Sequence, residues 1–326
     1  MFDSYDRKIN YLRISVTDLC NLRCKYCMPE KGIDKMCHKE ILTLEEIQDI
    51  TERFVETGVD KVRITGGEPL VRSNILRLVD GIGKIDGIRD FAMTTNGILL
   101  RKYAKDLRNS GLNRLNISLD TLNAEKYSKI TKVGKLKDVL EGIEEAKKVG
   151  LAPIKLNVVL IKGFNENEIE DFINLTRYEE IEIRFIELMP IGTLKYWSLN
   201  KYISNDAVLE KMPELIEIKS SDISSPARYY KLPNAKGKVG LINPISCKFC
   251  GNCNRIRLTA DGKIKPCLHS NCEVDLKKML REGKNISNVI IDTIKNKPKE
   301  HGLEDGNYIN RDMTAIGGWF YGIYAF

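Results

Sequence analysis

Short apolar runs alternate with longer stretches of helical spacing through the first two thirds of the chain. Leu12 to Val16, Lys61 to Thr65, Asp90 to Thr94, Arg114 to Leu119, Lys155 to Leu160 and Glu182 to Glu187 are brief and rich in β-branched or apolar residues, which predicts six strands. Between them, Leu44 to Thr57, Asn74 to Lys84, Leu99 to Asn109, Leu136 to Val149 and Glu166 to Tyr178 repeat apolar residues three and four apart, which predicts helices. Gly58, Gly111 and Gly150 follow three of these segments, where a left-handed helix cap is expected. Strands alternating with helices imply a parallel sheet with right-handed crossovers. Six units fall short of a closed eight-unit barrel, so the expected fold is α/β, a partial (β/α)6 TIM-like barrel.

After about Gly192 the pattern changes. Tyr229 to Leu232 and Lys238 to Ile242 flank a polar Asn234-Ala235-Lys236-Gly237 turn, and Arg255 to Thr259 and Lys263 to Pro266 flank Asp261-Gly262. Both read as hairpins. The expected division is a barrel over residues 1–220 and a partly β C-terminal module over 221–326. Composition agrees with a globular enzyme-sized chain: 326 residues, 42% hydrophobic and 30% charged, too apolar for disorder. No apolar run approaches the ~18 residues of a membrane span. The polar stretch Met1 to Asn10 argues against a secretory signal. A cytoplasmic location is expected, with no membrane partner. The net charge of +7 is spread without a block of like charges, which argues against a nucleic-acid tail.

The nine cysteines fall in two groups: Cys20, Cys24, Cys27 and Cys37, then Cys247, Cys250, Cys253, Cys267 and Cys272. A reducing compartment disfavours disulfides, so two thiol groups at opposite ends of the chain suggest two metal sites. Cys20-Asn-Leu-Arg-Cys24-Lys-Tyr-Cys27 follows the first strand with spacing C-x3-C-x2-C. A zinc site closed by Cys37 or His38 is one reading. The other is a 4Fe–4S cluster on three thiolates, which leaves one iron open for chemistry.

The spacing, with an aromatic before the last Cys, resembles the signature of the radical S-adenosylmethionine enzymes. The resemblance implies that the open iron chelates the amino and carboxylate groups of S-adenosylmethionine. An electron from the cluster then breaks the sulfonium C–S bond, and the 5′-deoxyadenosyl radical abstracts hydrogen from substrate. It implies Cys20, Cys24 and Cys27 as ligands. Tyr26 and Met189 would lie near the adenine, and Ser118 near the ribose and carboxylate. Gly67, in Thr65-Gly66-Gly67-Glu68-Pro69, would bind the amino group. Read without the family, the glycines are a tight turn, and Ser118 and Met189 are strand-end and core residues.

Cys250-Gly-Asn-Cys253 and Cys267 have spacing C-x2-C-x13-C, with the Asp261-Gly262 hairpin returning Cys267 toward the pair. A zinc ribbon completed by Cys247 or Cys272 fits the spacing. Arg255 and Arg257 are two apart, so on a strand they share a face, and two guanidiniums suit a polyanion such as a triphosphate. This stretch closely resembles the C-terminal signature of the GTP 3′,8-cyclase family of molybdenum cofactor biosynthesis. Leu12 to Asp18, Val62 to Leu70, Thr94 to Gly97, Asn116 to Asp120, Lys155 to Val159 and Ile183 to Glu187 match that family in order.

The resemblance implies a second 4Fe–4S cluster on Cys250, Cys253 and Cys267, whose open iron binds the purine of GTP. Arg13, Arg63, Thr94, Lys155, Arg255, Ile256 and Arg257 would bind GTP, and the product would be the 3′,8-cyclo-7,8-dihydroguanosine triphosphate. A reductase or flavodoxin-type electron donor and a downstream cyclic pyranopterin monophosphate synthase are the implied partners, with the chain a monomer or homodimer. The charge argument stands apart from the family. A triphosphate in a low-dielectric interior must be paired, and cations such as Arg13, Arg63 and Lys155 in strands must face outward or meet an anion.

The cyclases usually end in a Gly-Gly that reaches the site. Here Gly317 and Gly318 hold that place but are followed by Trp319 to Phe326. Two rival readings remain: a radical enzyme acting on a peptide or another nucleotide, and a metal-binding nucleic-acid module. The second leaves the barrel unexplained.

Overall fold

Along each barrel strand, alternate side chains face helices on one side and the barrel interior on the other. The computed structural model describes residues 1–25, 27, 31–33, 36–189, 200–220, 222–303, 309, 311 and 314. Tyr26, Gly317 and Gly318 lie outside these described residues. The six expected strands form as β1 (Tyr11–Ser15), β2 (Lys61–Thr65), β3 (Asp90–Thr95), β4 (Arg114–Ser118), β5 (Ile154–Leu160) and β6 (Ile181–Glu187). They pair in that order, all parallel. The crossovers carry α1 (Leu44–Glu56), α2 (Ile75–Gly83), α3 (Leu100–Asn109), α4 (Ala124–Thr131), α5 (Leu136–Lys148) and α6 (Ile169–Tyr178). The fourth of these is an addition to the expected set. It starts where the Asn123 side chain accepts the Lys126 N–H at 3.0 Å.

Local chemistry sets the helices. Thr43 and Glu46 close a reciprocal capping box at the start of α1, at 3.1 and 2.8 Å. Ile47, Ile50 and Phe54 then recur on one face and bury against the sheet. Leu12, Ile14, Val62, Ile64, Phe91, Met93, Leu115 and Ile117 meet the helices as one continuous core.

The C-terminal third does not stack as a separate layer. Its strands β7 (Ile216–Ile218), β8 (Ala227–Lys231), β9 (Lys238–Ile242), β10 (Arg255–Leu258), β11 (Lys263–Lys265) and β12 (Val274–Asp275) extend the same sheet at both edges. β9 runs parallel beside β6, and β10 runs parallel beside β1. Both expected hairpins form, β8 with β9 and β10 with β11, each antiparallel. The parallel stretch is therefore eight strands wide. Its two flanking strands come from the C-terminal region, so residues remote in sequence share one barrel wall.

Candidate active site

The first thiol group sits beyond the end of β1, against the turn after β2. Gly67 N–H donates to the Thr17 carbonyl at 2.7 Å, and Glu68 N–H to the Leu19 carbonyl at 2.8 Å. A Cβ on Gly67 would stand 2.4 Å from the carbonyl oxygens of Asp18 and Leu19. The Gly-Gly pair is thus required by the close approach of the cysteine loop. Glu68 is fully buried and accepts from Leu70 N at 3.0 Å, Thr95 Oγ1 at 2.8 Å and Asn96 N at 2.7 Å. Burial raises its carboxyl to about 7.

Asn96 Nδ2 donates to Asn21 Oδ1 at 2.8 Å and to Cys20 Sγ at 3.7 Å, and Leu22 N donates to the same sulfur at 3.4 Å. Burial, and then the charge of Glu68, push the Cys20 thiol up to about 11. A bare thiolate is disfavoured there, while a bound cationic metal would hold it ionised. Cys24, Asn96, Ser118 and Asp120 line a small recess, and the buried Ser118 Oγ has no hydrogen-bond partner. N–H donors on sulfur and an orphaned hydroxyl beside Cys24 fit a thiolate-held cluster with a polar ligand.

Cys250, Cys253 and Cys267 line a cavity inside the barrel together with Arg13, Arg63, Arg255 and Arg257. The β10–β11 hairpin returns Cys267 to the Cys250–Cys253 turn. Burial opposes ionisation of Cys253, but Arg255 and Lys297 outweigh it and bring the thiol down to about 6. None of the nine cysteines is paired in a disulfide, and Cys37, Cys247 and Cys272 are exposed. Among the described residues no three His, Cys, Asp or Glu side chains are grouped to grip one metal ion.

A second cavity of about 300 Å³ lies toward the start of the strands. Arg13, Arg63, Arg184 and Arg255 border both spaces, and Lys61, Arg114, Lys155 and Lys238 join them below. Counter-charge is scarce. Glu182 alone meets Lys155 at 3.0 Å, Lys238 at 3.6 Å and Arg184. Asp90 holds Arg114 at 2.6 Å, and Asp222 holds Lys61 at 2.9 Å. Burial and then the charge of Arg257 lower Arg13 to about 9. Burial and then Arg184 lower Lys155 to about 7. Arg13 Nε, Arg63 Nε, Asn116 Nδ2 and Asn157 Oδ1 are buried without hydrogen-bond partners. A polyanion would satisfy this wall.

Residues 14–176 match the Radical SAM superfamily, and residues 181–303 match Molybdenum Cofactor Synthesis C. A GTP 3′,8-cyclase of Peptoclostridium acidaminophilum is 61% identical over 319 residues, covering 98% of each chain. One from Alkaliphilus oremlandii is 55% identical, over 98% of this chain and 100% of its own. The chain belongs to the GTP 3′,8-cyclase family. Among solved structures, Streptococcus suis SuiB bound to S-adenosylmethionine shares the fold with a TM-score of 0.62. It is 16% identical over 87% of this chain and 65% of its own. As a radical S-adenosylmethionine cyclase of molybdenum cofactor biosynthesis, the protein uses S-adenosylmethionine and 4Fe–4S clusters.

Most of the residues expected at the substrate site line the two cavities. Arg13, Arg63, Thr94, Arg255, Arg257 and Met189 line the upper cavity, and Lys155 the lower one. Ile256 differs: its side chain joins the core beneath the helices, so it takes no part in the cavity wall. Sequence reasoning passed over Arg184, Glu182, Asn116 and Asn157. Their signal was the same two-residue alternation that exposed Arg255 and Arg257. In β6 it places Glu182, Arg184 and Ile186 on the inner face, opposite Lys155, Asn157 and Val159.

Proposed function

We propose that this chain converts GTP to its 3′,8-cyclised triphosphate inside the barrel. The observation that carries the reading is the wall of Arg13, Arg63, Arg255 and Arg257, with Arg63 and Arg257 buried, short of carboxylates and continuous with the second thiol group. Cys20, Cys24 and Cys27 would hold the radical-generating cluster, with the Gly67 backbone, Ser118, Met189 and Tyr26 around S-adenosylmethionine. Cys250, Cys253 and Cys267 would hold the second cluster at the purine, with Thr94 on the same wall. When bound, the clusters and S-adenosylmethionine supply the electron and the radical that start the reaction.

The protein's own part is binding and orientation. Arg13, Arg63, Lys155, Arg184 and Arg255 neutralise the triphosphate toward the start of the strands, with Arg257 above them beside the second thiol group. That aims the sugar and base at the strand ends, and the burial of the wall keeps water from a radical. The Gly317–Gly318 tail would be fed from a fixed base. Arg311 is pinned to Asp261 in the β10–β11 hairpin at 3.0 and 2.7 Å and to Glu273, just before β12, at 2.7 Å. Among the described residues no helix is long and apolar enough to cross a membrane. A cytoplasmic site with a reductase or flavodoxin-type donor, and a synthase taking up the product, complete the reading.

Two variants test it. Cys24→Ala stops 5′-deoxyadenosine formation, because one ligand lost is a cluster lost. Cys253→Ala retains S-adenosylmethionine cleavage and stops cyclisation, read by mass analysis of the nucleotides under reducing, anaerobic conditions. Undiminished cleavage in Cys24→Ala, or cyclisation by Cys253→Ala, overturns the division of roles.

A further inference from the structure

Two of the chain's three histidines face the cavity of the second thiol group, and the reading above uses neither. His269 lies two residues after Cys267 and lines the cavity with Cys250, Cys253, Cys267 and Arg257. Its Nδ1 is buried and has no hydrogen-bond partner. Its ring is oriented rather than loose. It stands edge-to-face with His301, centroids 4.9 Å apart and planes at 61°. His301 is itself tied through Nε2 to the Pro244 carbonyl at 3.1 Å. A buried polar atom left without a partner is disfavoured by more than a made hydrogen bond returns, so such atoms point to a missing ligand.

The chemistry around His269 divides the cavity. The triphosphate cations gather toward the start of the strands, around Arg63, Lys155 and Arg184. The end at His269 holds the thiols and Arg257, together with Leu268, Pro244 and Phe249, with Arg255 over the Phe249 ring at 5.0 Å. A flat, partly apolar group with hydrogen-bonding edges suits the thiols and apolar side chains of that end. The nucleobase of a purine nucleotide has that character: apolar faces and a rim of donors and acceptors.

We infer that His269 is a base-recognition residue of the substrate site, its Nδ1 hydrogen-bonding the polar edge of the guanine held beside the second thiol group. The inference rests on the reading that GTP lies in this cavity with its base at that group. The His301–Pro244 contact sets the ring angle, and His269 adds selectivity for the base without contributing to triphosphate affinity.

Equilibrium dialysis of the reconstituted protein separates the two levels. Wild-type protein should bind GTP and inorganic triphosphate. His269→Phe keeps an aromatic ring but no polar atom. It should weaken GTP roughly 3- to 10-fold, the worth of one hydrogen bond, and leave inorganic triphosphate unchanged. His269→Asn places an amide near the position of Nδ1 and should restore GTP to within about 2-fold of wild type. Iron content should match wild type in both. Should the Phe variant not fold, His269→Ala against His269→Asn makes the same comparison.

Equal GTP affinity in wild type and the Phe or Ala variant overturns the inference and leaves the substrate reading intact. Parallel loss of inorganic triphosphate also overturns it, since the role is then structural. A changed electron paramagnetic resonance spectrum of the second cluster in nucleotide-free His269→Phe overturns it in favour of cluster ligation. Failure of wild-type protein to bind GTP at all fails the substrate reading instead.

Discussion

Arg13 and Arg63 are paired across the parallel register of β1 and β2, both inside the barrel, and both lie over the ring of Tyr11. Their guanidinium carbons stand 5.5 and 5.2 Å from its centroid. Neither has an ion pair among the described residues. Two like charges side by side in a low-dielectric interior repel, and the aromatic face offsets only part of that. The arrangement spends stability in the empty protein to bind an anion strongly, which makes it testable from both directions.

Arg63→Met should stabilise the nucleotide-free protein, because a buried guanidinium without an ion pair carries a desolvation penalty that an apolar side chain does not. GTP affinity should fall about 10- to 150-fold, the worth of a charged hydrogen bond. Denaturant unfolding and dialysis read the two effects. A destabilised variant with full affinity would show that Arg63 is structural.

Lys155 is held near 7 by burial and the adjacent Arg184. A bound triphosphate removes the repulsion and returns the ammonium toward its ordinary ~10.4. GTP binding at pH 8 should therefore take up protons, approaching one per site. Calorimetry in two buffers of different ionisation enthalpy measures this. Lys155→Met should abolish the uptake, and an uptake that survives the substitution would assign the proton elsewhere.

Glu182 sits at about 2: burial alone would raise it, and Arg184 and Lys155 more than reverse that. Its folded value lies below the ordinary ~4.3, so its stabilisation is present above that pH and disappears as pH falls toward 2. Glu182→Gln strands the buried Arg184 guanidinium and should destabilise the protein at pH 7 by about 3–5 kcal/mol. Unfolding of the metal-stripped chain from pH 7 down to 2.5 should show the gap between wild type and variant closing in the acid range. A gap constant with pH would refute the ionic role.

Gly67→Ala pushes a methyl against the Asp18 and Leu19 carbonyls at 2.4 Å. The cysteine loop must shift, so the first cluster should be lost and the second retained. Iron should drop from about eight to about four per chain, with cleavage of S-adenosylmethionine gone. Full iron content with cleavage lost would instead confine Gly67 to ligand binding.

Much of the site was legible in the linear chain because strand geometry is short-range. A period of two puts Arg255 and Arg257 on one face whatever the fold, and a three-residue interval after a strand end confines Cys24 and Cys27 to one loop. The parallel order of β1 to β6 followed from alternation alone, as did the two hairpins. The sequence could not place β9 beside β6 or β10 beside β1, because those ladders join residues separated by more than fifty and more than two hundred positions. Only that closure brings Arg257 next to Arg13 and turns separate cations into one wall. It also decided that Ile256 faces the core while its neighbours face the cavity, and that His269 meets His301. Long-range pairing sets which strand a side chain stands beside, and no local propensity encodes that.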